Sequence, residues 1–180
     1  MDGLVSLLPE PYYQRVETIW NELEETCQLT GIRVTPYPHF SWQIAENYDQ
    51  DRLELMIRRL ASETKRFTVR TTGIGVFSGP QPVIYIPVVK NKSLLNFHAH
   101  LWELITPTVI EDAPSPYYHP DHWMPHISLA YSDVKLDNIG AVMARLAFET
   151  YNWEMEVNNI AYISEPTGTI GQLKFTYGFS

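Results

Sequence analysis

Two short stretches of the chain carry the same pattern of residues. Residues 38–42 read Pro-His-Phe-Ser-Trp and residues 125–129 read Pro-His-Ile-Ser-Leu, so each has a histidine and a serine separated by one apolar residue. Side chains alternate between the two faces of a β-strand. Each stretch, when extended, therefore presents an imidazole and a hydroxyl on one face and apolar side chains on the other.

The pair His39 and His126 has the chemical properties that acid–base catalysis requires. Imidazole titrates near neutral pH, so one ring can take a proton from an attacking hydroxyl or water while the other protonates the leaving oxygen. This division suits in-line displacement at phosphorus. The hydroxyls of Ser41 and Ser128 would donate to the non-bridging oxygens, and such chemistry needs no metal or other cofactor.

The hydrophobic periodicity predicts the elements that position the two motifs. We expect strands at 3–8, 32–44, 67–72, 82–89, 126–131, 155–164 and 172–179, and helices at 12–29, 53–65, 93–105 and 136–148. A turn is expected at 166–168, and the proline-rich segment 107–124 is expected to be a loop that walls a site. This order predicts one bilobed α+β domain over residues 1–180. Its two mostly antiparallel sheets face a central groove, helices pack outside, and each lobe contributes one histidine.

The composition limits the classes of molecule that the protein can bind. A net charge of −8 argues against coating duplex nucleic acid, because that affinity comes largely from Lys and Arg on phosphates. A small phosphate-bearing ligand held by a few donors remains compatible with it. The single cysteine, Cys27, excludes an intrachain disulfide, and the longest apolar stretch, 83–89, is too short to span a bilayer. We expect a soluble cytoplasmic protein that is monomeric and binds no membrane.

The repeated motif resembles the paired H-x-[ST]-x signatures of the two-histidine phosphoesterase superfamily, specifically those of the 2′-5′ RNA ligase-like family. Residues 67–77, residues 82–88 and the helix with Leu94, Leu95, His98 and Leu101 are similar to the region between the family's motifs. The resemblance implies a catalytic pair, His39 and His126, and phosphate-binding hydroxyls on Ser41 and Ser128. It also implies a bilobed α+β fold and metal-independent cleavage of 2′,3′-cyclic phosphates, 2′-5′ linkages or related nucleotide and RNA ends. Both hydroxyl residues are serine where threonine is common, which keeps the donor but loosens its rotamer.

Strand alternation also provides candidates for substrate binding. Gln43 is expected on the same face as His39 and Ser41. Arg70 and Lys174 are expected on polar strand faces, where they would supply positive charge for a phosphate. Tyr85 is a candidate for stacking a base, although a tyrosine in so apolar a strand is more typical of a core.

Two alternatives to a two-histidine enzyme stay open at this point. The same groove would also suit a non-catalytic module that binds a phosphate or an RNA end. A metal-dependent hydrolase would instead use His119 and His122, with Asp121 as a further ligand, because their spacing resembles that of metal ligands. Pro120 and Pro125 prevent a helix that would bring these rings onto one face.

Overall fold

The computed structural model describes residues 1–166 and 168–180. The predicted turn at 166–168 includes Thr167, which lies outside the described residues. The strands are β1 (Asp2–Leu7), β2 (His39–Ala45), β3 (Phe67–Thr71), β4 (Gly75–Phe77), β5 (Val83–Val89), β6 (His126–Ala130), β7 (Glu154–Val157), β8 (Asn159–Ser164) and β9 (Gln172–Gly178). The α-helices are α1 (Tyr12–Cys27), α2 (Gln50–Glu63), α3 (Lys92–Ile105) and α4 (Ile139–Leu146).

The strands form two antiparallel sheets, which confirms the predicted α+β fold. The first sheet has the order β2-β1-β8-β9. The second has the order β4-β5-β3-β7, with β6 paired to β5. Within the described residues, β2 pairs only with β1 and β6 only with β5, so both histidine-bearing strands lie at the edges of their sheets. These edges lie against each other.

One apolar cluster lies beneath both sheets and includes residues from every α-helix. Helix α1 contributes Val16 and Trp20, and α3 contributes Leu94 and Leu101. The core therefore fixes the position of one sheet relative to the other. In the described part of the chain, no helix combines the length and the apolar character needed to cross a membrane.

Two expected strands are wrong in their extent. The strand expected at 32–44 begins only at His39, because Gly31–Val34 forms a 3-10 helix and Pro36 and Pro38 lack backbone donors. The strand expected at 155–164 is two strands that belong to different sheets. Strand β7 pairs with β3 and β8 pairs with β1, and the break falls at Asn158, whose carbonyl accepts from the Phe179 N–H at 2.8 Å.

Helix α3 offers a matched test of this packing. Leu94 is fully buried, whereas its neighbour Leu95 is 40% exposed. We expect Leu94→Ala to lower the free energy of unfolding by about 2–5 kcal/mol, because it leaves a cavity in the core. Leu95→Ala should cost less than about 1 kcal/mol. Urea denaturation of the two variants measures this difference, and equal losses would contradict the assigned helix face.

Candidate active site

The two motif strands, β2 and β6, begin in the same way. The Nδ1 atom of His39 lies 2.5 Å from the Tyr37 carbonyl oxygen, and the Nδ1 atom of His126 lies 2.7 Å from the Met124 carbonyl oxygen. A carbonyl oxygen can only accept, so Nδ1 carries the hydrogen in each neutral ring. No partner among residues 1–166 and 168–180 bonds the Nε2 atom of either imidazole, so this atom is the one available to accept a proton.

The proline that precedes each histidine helps to hold this geometry. Proline fixes its own φ angle and biases the residue before it toward an extended conformation. The Pro38 carbonyl accepts from the Leu8 N–H at 3.0 Å, and the Pro125 carbonyl accepts from the Val88 N–H at 2.9 Å. Each proline is thus hydrogen-bonded to the chain of the neighbouring strand. Its position explains why the repeated pattern begins with proline.

Each motif strand then carries one extra residue relative to its neighbour. The register of β1 against β2 shifts by one residue after Ser41, and that of β5 against β6 shifts by one residue after Ser128. The extra residues are Trp42 and Leu129. Such a bulge on an edge strand re-aims the side chains that follow it. The histidine and serine of each motif share one face, and the chain beyond them turns toward the core.

This bulge makes the expectation for Gln43 wrong. The shift in register places Gln43 on the buried face of β2, and its side chain is fully buried. The Gln43 amide donates to the Thr106 hydroxyl at 3.1 Å, and its oxygen accepts from the Tyr48 hydroxyl at 3.1 Å. Gln43 therefore supports the first motif strand from behind and does not face the substrate.

Two tryptophans bond to the motif strands at the bulges. The Trp123 indole N–H donates to the Ser41 carbonyl at 2.9 Å, and the Trp20 indole N–H donates to the Ser128 carbonyl at 3.1 Å. In each case the tryptophan comes from the half of the chain that does not contain that serine. No spacing in the sequence signals this exchange, because it depends on how the two halves pack.

The segment 107–124 covers the free edge of β2. The Ile110 N–H donates to the Asn47 carbonyl at 3.2 Å, and the Ser115 N–H donates to the Ile44 carbonyl at 2.8 Å. Farther along, the segment with Tyr118 lies against β2 near Ser41, and burial raises the pKa of Tyr118 to about 12. The segment is thus a wall of the site, and Tyr118 is a neutral neighbour of Ser41 that sequence reasoning missed.

Aromatic rings hold His126 from the other side. Its ring centroid lies 4.9 Å from that of Phe77 and 5.1 Å from that of Tyr85, and these two rings stack at 4.1 Å. Tyr85 is only 7% exposed, so its ring is not available to stack a base, and the base-stacking expectation is wrong. Gly75 on β4 pairs with Tyr85 on β5, and a Cβ at Gly75 would lie 2.5 Å from Cζ of Tyr85. Any residue larger than glycine at position 75 would therefore displace the Tyr85 ring.

Both motif histidines are half-buried and electrically neutral at neutral pH. Burial is the main cause that lowers the pKa of His39 to about 4, and the charge of a protonated His126 acts in the same direction. Burial also lowers the pKa of His126. Strands β2 and β6 lie against each other, so the two motifs meet at one junction. A proton on one opposes a second proton on the other.

The two cationic candidates do not lie beside the histidines. Arg70 is on the same face of the second sheet as His126, two strands away, and its guanidinium is 2.7 Å from the Glu154 carboxylate. Lys174 is the extra residue at a register shift in β9, three strands from β2, and its ammonium donates to Gln172 at 2.8 Å. Binding of a phosphate by either residue stays a prediction.

The loop histidines form a different arrangement from the one a metal site requires. The Nδ1 atom of His119 lies 3.5 Å from the Asp121 carboxylate, and the ring centroids of His119 and His122 are 6.1 Å apart. His126 belongs to the other cluster, around Phe77. Among residues 1–166 and 168–180, no group of three His, Cys, Asp or Glu side chains is placed to hold a metal ion.

Comparison with known proteins agrees with this architecture. The model of the 2'-5' RNA ligase superfamily matches residues 9–169. The crystal structure of TT0787 of Thermus thermophilus is similar over 99% of this chain and 97% of its own, with 17% identity and a TM-score of 0.72. Usb1 of Kluyveromyces marxianus is similar over 99% and 97%, with 11% identity and a TM-score of 0.53. The structure of that Usb1 with uridine monophosphate gives 12% identity and the same TM-score of 0.53. No curated protein matches.

The fold and the paired motifs define a two-histidine phosphoesterase-type protein. The family match covers most of the chain, and the chain therefore belongs to the 2'-5' RNA ligase superfamily. The structural neighbours share the fold at low identity.

The indole bonds to the motif strands can be tested separately from the chemistry. Trp123→Phe and Trp20→Phe each remove one N–H donor and leave a serine carbonyl without it. We expect each to lower the free energy of unfolding by about 1–3 kcal/mol. The control is Trp102→Phe on α3, at a half-buried ring, which should cost less than about 1 kcal/mol. Thermal or urea unfolding of the three variants measures this, and equal losses would contradict the role of the indole bonds.

Proposed function

We propose that the protein is a metal-independent phosphodiesterase that acts on a nucleotide or RNA-end phosphodiester, such as a 2′,3′-cyclic phosphate or a 2′-5′ linkage. The observation that carries this proposal is the matched geometry of His39 and His126. Each has its Nδ1 atom bonded to the carbonyl two residues earlier, its Nε2 atom free, and a serine two residues later on the same strand face.

The proposed reaction uses the two imidazoles in opposite senses. One neutral Nε2 takes the proton of the attacking water or ribose hydroxyl as the new P–O bond forms. The other imidazole, protonated, gives its proton to the oxygen that leaves as the old P–O bond breaks. The hydroxyls of Ser41 and Ser128 donate to the non-bridging oxygens, where negative charge increases in the transition state.

The substrate itself supplies part of the required charge state. Burial favours the neutral form of both rings in the free protein, as their lowered pKa values show. A bound phosphodiester carries one negative charge, and an opposite charge nearby favours protonation of an imidazole. Binding of the substrate thus promotes uptake of the single proton that the reaction needs.

Three observations support a nucleotide or RNA-end substrate and cleavage as the direction. The superfamily is that of 2'-5' RNA ligases, and a similar Usb1 structure was determined with uridine monophosphate. The net charge of −8 disfavours a long polyanion and leaves a small nucleotide end as the better ligand. Water is abundant and reaches the phosphorus atom as a nucleophile more readily than a second RNA end does. We therefore propose hydrolysis as the main activity.

Removal of either imidazole should abolish most of the activity. We expect His39→Ala and His126→Ala each to lower kcat/KM by about 10²–10⁴-fold, because each removes one proton-transfer group. The control is His100→Ala, an exposed histidine on α3, which should leave kcat/KM unchanged. The assay is a panel of 2′,3′-cyclic mononucleotides and 2′-5′ dinucleotides with EDTA present. Full activity in either single variant, loss of activity in EDTA, or tight binding without any product would contradict the proposal.

The pH dependence follows from the lowered pKa values. The general base must be neutral and the general acid protonated in the free enzyme, so kcat/KM should fall as the pH drops through the His39 pKa of about 4 and fall again as the pH rises through the lowered pKa of His126. The upper limb lies below the ordinary histidine value of 6.5 because burial lowers both pKa values. We expect a bell-shaped profile with an acidic optimum. A profile that rises up to pH 8 would contradict the assignment.

A further inference from the structure

A cavity on the face of the first sheet is continuous with the first motif. His39 and Ser41 form one part of its wall, its volume is about 60 Å³, and it is open to solvent on one side. Pockets that enclose small ligands are larger, at about 300–1,000 Å³, so a flat ring would lie across the mouth of this cavity and not inside it. A group bound there would be connected directly to a phosphate held between the histidines.

The floor of this cavity is apolar. Val5 of β1, Ile163 of β8 and Ile44 of β2 line it, and Val5 and Ile163 belong to a small buried cluster separate from the main core. The register shift after Ser41 is what brings Ile44 onto this face, in the place where strict alternation would put Gln43. An apolar floor of this kind suits the face of a nucleobase.

The polar groups at the edge of the cavity include the Glu165 carboxylate, the Thr35 hydroxyl and the Met1 ammonium, which donates to the Glu165 carbonyl at 2.8 Å. Glu165 follows β8 directly, is half-buried, and accepts from the Thr35 hydroxyl at 2.5 Å through Oε2. This bond orients the carboxylate, and its Oε1 atom remains a potential acceptor. Asp2 also lines the cavity, and its carboxylate accepts from the Tyr162 hydroxyl. The Asp2 side chain lies on the buried face of β1, so Glu165 is the carboxylate that a ligand in the cavity would meet.

We propose that this cavity is the nucleobase subsite of the enzyme and that Glu165 selects guanine. This inference rests on the proposed function, because the phosphate between His39 and His126 places the nucleoside. Guanine presents two adjacent donors, the N1–H and the 2-amino group, which match the two oxygens of a carboxylate. Uracil presents one N–H between two carbonyl oxygens, and those oxygens are repelled by a carboxylate. Bases of single-stranded RNA are read in this way, on their hydrogen-bonding edges.

The test is a base series on the wild-type enzyme and two variants. The substrates are the 2′,3′-cyclic phosphates of guanosine, adenosine, cytidine and uridine. We expect the wild type to favour guanosine over uridine by about 10–100-fold in kcat/KM, since hydrogen bonds to a charged group discriminate at that level. In Glu165→Gln the ratio should fall to about 3-fold or less, with activity on the uridine substrate retained.

Glu46→Gln is the matched control. It removes the same charge from a residue that follows β2, does not line the cavity, and lies 3.8 Å from the Met1 ammonium. This variant should keep the wild-type ratio. A wild-type enzyme that cleaves all four substrates equally would overturn the subsite and leave the two-histidine reaction standing, as would a ratio that Glu165→Gln does not change.

A binding measurement keeps the two proposals separate. If neither these four substrates nor the 2′-5′ dinucleotides are cleaved, the proposed function fails. Calorimetry with guanosine and uridine 3′-monophosphates on the wild type and Glu165→Gln then tests the cavity alone. Tighter guanosine binding that is lost in Glu165→Gln supports the subsite, and equal binding of both nucleotides overturns it.

Discussion

The geometry of the site depends on one kind of hydrogen bond that occurs twice. In each copy the histidine side chain donates from Nδ1 to the backbone carbonyl two residues earlier. In both copies a proline lies between the two partners, so the acceptor is held by a residue with little conformational freedom. The bond fixes the tautomer and the ring plane together. It leaves His39 and His126 with the same free nitrogen, which in-line phosphodiester chemistry requires of both rings.

The position of both motif strands at sheet edges explains how the two motifs come together. An interior strand would be flanked on both sides, whereas β2 and β6 can meet each other along their free edges. Free edges leave backbone groups to be satisfied. The indole donors of Trp123 and Trp20 bond to the serine carbonyls there, and the segment 107–124 covers the rest of the β2 edge. Each half of the chain thus completes the motif of the other.

The sequence predicted most of the elements and the pairing of histidine with serine in each motif, because both rest on local patterns. Alternation placed His39 with Ser41 and His126 with Ser128, and helical periodicity located α1, α2 and α3. Gln43 was misplaced because a bulge adds a residue that strand alternation does not reveal. Tyr85 belongs to the core, as its apolar strand indicated, but its packing against Gly75 on another strand could not be read from the sequence. Trp20, Trp123 and Tyr118 could not be found, since their roles arise only from long-range packing.

The claim at the centre of this account is that two equivalent imidazoles, each with a free Nε2 atom, act on one phosphate. Long-range ¹⁵N–¹H correlation spectra of the histidine rings test it directly. We predict that at pH 7 both His39 and His126 are neutral with the hydrogen on Nδ1, and that both Nε2 resonances shift when a nucleoside monophosphate is added. A hydrogen on Nε2 of either ring, or a response from only one of the two, would contradict the account.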